Sequence, residues 1–66
     1  MNVNKLKGKM VENGINVERL AELIGVDRSS MYRKFNNFEK ITIGEAIKIQ
    51  SVLNLSGEDA TEIFLR

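Results

Sequence analysis

The stretch Asn16-Val17-Glu18-Arg19-Leu20-Ala21-Glu22-Leu23-Ile24-Gly25-Val26-Asp27-Arg28-Ser29-Ser30-Met31-Tyr32-Arg33-Lys34-Phe35-Asn36 decides how this chain folds. Its apolar residues Leu20, Ala21, Leu23 and Ile24 follow helical rather than alternating spacing, and Asn16 precedes them as an N-cap. Gly25 then interrupts the run. A glycine there takes positive φ without steric cost and stops the helix, and only Val26 and Asp27 separate it from a second run, Arg28 to Asn36. Asp27 caps that run, in which Met31 and Phe35 lie one turn apart. Ala21, four residues before Gly25, leaves room for close approach, and Leu20, Ile24, Val26, Met31 and Phe35 supply the apolar groups that lock the pair. The spacing predicts two short helices meeting at a steep angle, a helix-turn-helix.

Outward from this pair, three further helices are expected. One runs from Val3 to Asn13, with Val3, Leu6 and Met10 on one stripe and Gly14 as its left-handed stop. Another opens with the Thr42/Glu45 capping box and carries Ile43, Ala46, Ile47, Val52 and Leu53. The last opens at Ser56, with Asp59 in the third helical position, and carries Ala60, Ile63 and Phe64. Nothing alternates with period two. The expected fold is all-α, a compact five-helix unit in which helices 2 and 3 form the helix-turn-helix, with residues 1–66 as one domain.

Composition removes whole classes of chemistry. The 66 residues include no Cys and no His, which excludes disulfide frameworks, cysteine nucleophiles, Ser-His-Asp triads and Cys/His zinc sites. No Asp-rich loop has the spacing for Mg²⁺ or Ca²⁺. The adjacent Ser29 and Ser30 have no base to activate them, so no catalytic residue, metal, cofactor or small-molecule ligand is expected. No apolar run reaches membrane-spanning length, and Met1 to Lys9 is too polar for a signal peptide, so the expected setting is cytoplasmic. The net charge is only +1, which does not advertise a nucleic-acid partner.

The distribution of that charge is more informative. Residues 1–11 carry +3 (Lys5, Lys7, Lys9), and residues 12–27 carry −3 (Arg19 against Glu12, Glu18, Glu22 and Asp27). Residues 28–40 carry +3 (Arg28, Arg33, Lys34 and Lys40 against Glu39), and residues 41–66 carry −2. If Met31 and Phe35 face inward, the outward stripe of the second helix is Ser29, Tyr32, Arg33 and Asn36, with Arg28 beside it and no acid among them. A guanidinium offers guanine a bidentate donor, and hydroxyls and an aromatic ring suit other base edges. The expected base-reading residues are therefore Arg28, Ser29, Tyr32 and Arg33. Asn36, Asn37, Lys40 and the start of the fourth helix at Thr42 and Gly44 are expected to meet phosphate. Arg28 and Arg33 could equally be solvated surface charges, and Lys5, Lys7 and Lys9 read more simply as a solvated face.

The residues Leu20-Ala21, Ile24-Gly25-Val26-Asp27 and Arg28-Ser29-Ser30-Met31 resemble the helix-turn-helix of the phage lambda repressor and Cro-like family, of the xenobiotic-response-element class. Asn4 to Lys9, Arg33 to Asn37 and the ending Ile63-Phe64 are similar to small Cro-type regulators of phages and prophages, so the resemblance covers nearly the whole chain. It implies a dimer on a pseudo-palindromic operator in double-stranded DNA, transcriptional repression, and work at the nucleoid of a bacterial host. Many members place Gln first on the second helix, where it contacts phosphate and braces the recognition helix; this chain has Val17.

Two features remain open. Ile49, Val52, Leu55, Ile63, Phe64 and Leu65 exceed what one inward stripe of two short helices can bury. Either the last two helices pack on each other, or Leu55, Ile63, Phe64 and Leu65 form a two-fold homodimer patch. Phe38 could instead anchor the loop after the recognition helix. The competing reading of the whole chain is a protein-interaction module, an adaptor or antirepressor acting through its apolar last helix.

Overall fold

Helix caps set the element boundaries. A computed structural model describes residues 2–65 and contains α1 (Val3–Glu12), α2 (Val17–Ile24), α3 (Arg28–Asn36), α4 (Ile43–Val52) and α5 (Gly57–Phe64). A 3₁₀ turn, Phe38–Lys40, follows α3, and no strand occurs among the described residues. Met1 and Arg66, the ends of the expected domain, lie outside them.

Every helix starts with the same device, a side-chain oxygen accepting the backbone N–H three residues on. Asn2, Asn16, Asp27, Thr42 and Ser56 accept from Lys5, Arg19, Ser30, Glu45 and Asp59, at 2.8–3.2 Å. At Thr42 the box is complete, because its own N–H donates to Glu45 Oε1 at 2.9 Å. At α5, Asp59 instead turns its carboxylate to Lys5 and Lys9 of α1.

The carboxyl ends also share a mechanism. Gly14 and Gly25 adopt φ of +66° and +75°, and Asn54 adopts +52° without being glycine. After each, an apolar residue closes back across the turn: Ile15 N–H to Met10 O, Val26 N–H to Ala21 O and Leu55 N–H to Gln50 O, at 2.9–3.0 Å. These are Schellman closures, which satisfy orphan carbonyls and point the next apolar side chain at the core. The third of them, with Asn54 as its pivot, had no glycine to announce it.

The core is drawn from all five helices. Leu6, Leu20, Met31, Ile49 and Ile63 are its fully enclosed members, joined by Met10, Ala21, Ile24, Phe35, Leu53, Leu55 and Phe64. α2 packs on both α3 and α4, and α1 lies against α5. The Asn2 N–H donates to Ile63 O at 2.8 Å and ties the chain start to the last helix. Phe38 lies edge-on to Phe35 (ring centroids 6.3 Å) and stacks on Phe64 (5.8 Å). The turn after α3 is thereby anchored to α5, as the loop-anchor reading of Phe38 expected.

One expectation is corrected here. Leu55, Ile63 and Phe64 are buried within this chain, because α1 and α2 supply core surface that two helices alone would lack. They are therefore not a surplus apolar patch, and of the expected dimer residues only Leu65 is exposed, at 78%. On α4 the inward residues are Ile49 and Leu53, whereas Ile43 and Ile47 are 82% and 62% exposed. Gly8, inside α1, has open space beside it: a Cβ there would meet nothing within 4 Å.

Candidate nucleic-acid interface

α3 owes its position to Ala21 and Gly25. Ala21 is buried at the contact, and Gly25 takes the left-handed conformation that turns the chain within two residues. Met31 and Phe35 face the core, which leaves Arg28, Ser29, Tyr32, Arg33 and Asn36 exposed along the other side of α3. Tyr32 remains 46% accessible. The structure thus brings the four expected base-reading residues to one outward face.

The expected phosphate contacts divide into two groups. Asn37 and Lys40 join Ser30, Arg33 and Lys34 around a shallow hollow of about 410 Å³ at the carboxyl end of α3. Arg33 Nη2 donates to Ser30 Oγ at 3.1 Å, which steadies the guanidinium at the rim. Asn36 is exposed beside this hollow. Thr42 and Gly44 lie beyond it, at the amino end of α4. There Thr42 uses both its N–H and its hydroxyl within the capping box, and the Glu45 carboxylate occupies the place an anion would take. Gly44 is exposed, with Thr42 Oγ1 standing 4.0 Å from where a Cβ would lie.

Ion pairing redraws the charge map. Lys5 contacts Asp59 (3.2 Å) and Glu62, while Lys9 contacts Asp59 (3.2 Å) and Glu12 (3.4 Å). Two of the three lysines of α1 are therefore spent on the junction with α5 rather than standing free. The hydrogen bonds from Lys5 and then Lys9 hold the Asp59 carboxyl below the usual aspartate range against the opposing pull of desolvation. Lys34 pairs with Glu45 across α3 and α4. Burial pushes the Glu45 carboxyl up, but hydrogen bonds from Lys34 and the Thr42 N–H, with the Lys34 charge, outweigh it and leave the group lowered. Arg19 pairs with Glu22 and Arg28 with Glu18, so among the described residues Arg33, Lys40, Lys7 and Lys48 are the cations outside ion pairs. Two of those four, Arg33 and Lys40, line the hollow beside the reading face.

One residue of this surface escaped the reading of the sequence. Glu18, on the first turn of α2, accepts from Arg28 Nη1 at 3.2 Å and from the Tyr32 hydroxyl at 3.4 Å. The outward stripe of α3 contains no acid of its own, but α2 supplies one. The signal was available in principle, since a helix-turn-helix brings the two amino ends together, but residues ten and fourteen positions apart follow no helical spacing.

A helix held proud of a five-helix body by a buried Ala and a left-handed Gly, with arginines, a tyrosine and hydroxyls outward, defines a helix-turn-helix DNA-binding domain. A family model for the Cro/C1-type HTH DNA-binding domain matches residues 5–64, and the chain belongs to that family. Nothing among curated proteins or solved structures matches the chain. No helix among the described residues is long and apolar enough to cross a membrane.

Proposed function

We propose that this chain is a sequence-specific transcriptional regulator, a Cro-like repressor of phage or prophage type, that reads a double-stranded operator with α3 in the major groove. The observation that carries this reading is the junction of two surfaces. The exposed face of α3 (Arg28, Ser29, Tyr32, Arg33) continues directly into the basic hollow of Arg33, Asn37 and Lys40. The first has the donors and rings that discriminate base edges; the second has the donors that hold phosphate. Asn36, Asn37 and Lys40 set the register on the backbone, with the exposed Gly44 as the nearest point of α4, and Thr42 acts as a cap.

The regulator acts as a homodimer through the outer face of α4 and α5. Ile43, Ile47 and Leu65 are exposed there around an apolar groove of about 400 Å³ floored by Ala46, Ala60 and Phe64. Apolar side chains clustered at a concave surface favour association. A two-fold pairing would place two copies of α3 about one DNA turn, 34–36 Å, apart. Such a protein works on the nucleoid, in the cytoplasm of a bacterial host.

Selection from a randomised duplex pool tests the reading. Enrichment of a pseudo-palindrome with half-sites one turn apart is the expected result, and footprinting on DNA beside the gene would locate the natural site. The same apolar groove also favours the competing role of a protein adaptor. Salt separates the two, since DNA affinity falls steeply between about 50 and 200 mM salt and an apolar interface barely responds.

A further inference from the structure

Glu18 stands where a groove-reading surface has least use for a negative charge. Its carboxylate bridges two of the residues assigned to the bases, accepting from Arg28 Nη1 at 3.2 Å and from the Tyr32 hydroxyl at 3.4 Å. The pair is not buried: the Glu18 and Arg28 side chains are 48% and 66% exposed. Exposed ion pairs contribute little to stability. The charge must therefore be weighed for what it does to an approaching polyanion.

Two consequences follow from the geometry. An arginine has five N–H donors in a rigid fork, so a carboxylate on Nη1 leaves the rest of the fork available to a guanine edge and restricts the rotamers from which it is offered. The same carboxylate cancels the charge that a long, mobile arginine would otherwise offer to any phosphate, whatever the sequence. A base edge gains from the first effect, and a backbone loses from the second. Resting on the reading of α3 as a DNA-reading helix, we infer that Glu18 is a specificity-determining residue. It positions Arg28 and Tyr32 for bases and suppresses their use as non-specific phosphate contacts.

Glu18→Gln tests this, because the amide keeps the size of the side chain and an oxygen acceptor while removing the charge. The probes are a duplex selected by the wild type from a randomised pool and a scrambled duplex of the same base composition, each titrated against salt. One further neutralised phosphate steepens the slope of log affinity against log salt by about 0.9, which is about eightfold tighter binding at about 0.1 M salt. The scrambled duplex should gain that much. The selected duplex, on which Arg28 already occupies a base, should change less than about threefold, so the preference for it falls. Glu22→Gln makes the same charge change on the same helix, but its carboxylate pairs with Arg19 at 3.1 Å, and it should leave the preference intact. In an Arg28→Ala background, Glu18→Gln should lose its effect on the scrambled duplex.

Equal gains on both duplexes, or an equal loss of preference from Glu22→Gln, would show bulk charge at work and overturn the inference. Failure of the wild type to enrich any duplex would remove sequence-specific binding and this inference with it. An enriched duplex whose preference survives Glu18→Gln would remove the inference alone.

Discussion

The same substitution, glycine to alanine, should have opposite effects at two positions of this chain. Gly8 lies inside α1 and Gly25 ends α2, and a Cβ at either meets nothing within 4 Å, so no clash distinguishes them. What differs is the backbone: Gly25 has φ +75°, whereas Gly8 is an ordinary helical residue. In a helix interior alanine is favoured over glycine by about 0.8–1 kcal/mol. In the left-handed region a Cβ costs about 1–2 kcal/mol, partly offset by the reduced freedom of the unfolded chain. Gly8→Ala should therefore stabilise by up to about 1 kcal/mol, and Gly25→Ala should destabilise by about 1 kcal/mol. At about 2.1 cal/mol/K per residue, a chain of 66 residues has an unfolding entropy near 0.14 kcal/mol/K, so 1 kcal/mol moves Tm by about 7 °C. Far-ultraviolet circular dichroism melts of the two variants and the wild type would show this as one transition raised and one lowered. Shifts of the same sign would refute the argument, because they would mean that local space rather than φ governs both sites.

Arg33→Ala should cost about 1–3 kcal/mol on a selected duplex and little on a scrambled one, as measured by fluorescence anisotropy; equal losses would reduce Arg33 to a phosphate contact. Lys40→Ala should weaken both duplexes alike and lower the salt slope by about 0.9, and an unchanged slope would take Lys40 out of the interface. Ile47→Ser, at a position 62% exposed, should leave Tm near that of the wild type but weaken self-association in sedimentation equilibrium; an unchanged association constant would move the dimer face elsewhere. The α1–α5 ion network predicts two pH edges. Asp59 is lowered in the folded chain, so its contribution is complete above the ordinary aspartate pKa and lost as pH falls through the depressed value. Lys5, raised by its bonds to Glu62 and Asp59, and Lys9, raised by Asp59 and Glu12, contribute fully below the ordinary lysine pKa, and that contribution vanishes as pH rises through the raised values. Asp59→Asn should flatten the acid edge and soften the alkaline one in urea titrations across pH; unchanged edges would mean the contacts carry no stability.

What could be read directly from the chain is what local chemistry controls. Asn16, Asp27, Thr42 and Ser56 are side chains that satisfy orphan N–H groups at close range, and Gly14 and Gly25 are residues for which positive φ is free. The boundaries of α2 and α3, and the outward stripe of α3 that follows from an inward Met31 and Phe35, rest on such short-range rules. Asn54 obeys the same closing rule as the two glycines, but asparagine also serves as a cap or a turn residue, so its identity does not announce the role.

Packing decided the rest. α4 carries two apolar stripes, Ile43 with Ile47 and Ile49 with Leu53, and helical periodicity is equally content with either facing inward. α2 lies against the second, so the first is left at the surface and becomes the candidate for association. Leu55, Ile63 and Phe64 likewise looked surplus until α1 and α2 closed over them. The charges divide in the same way. Their signs and their clustering by segment are properties of the chain, but Lys5 and Lys9 meet Asp59, and Glu18 meets Arg28, only after folding brings separate helices together. A helix end is settled within about one turn of backbone, and residue identity within that turn suffices to read it. Which face is buried and which charge stays free are settled between elements, so they depend on the whole fold.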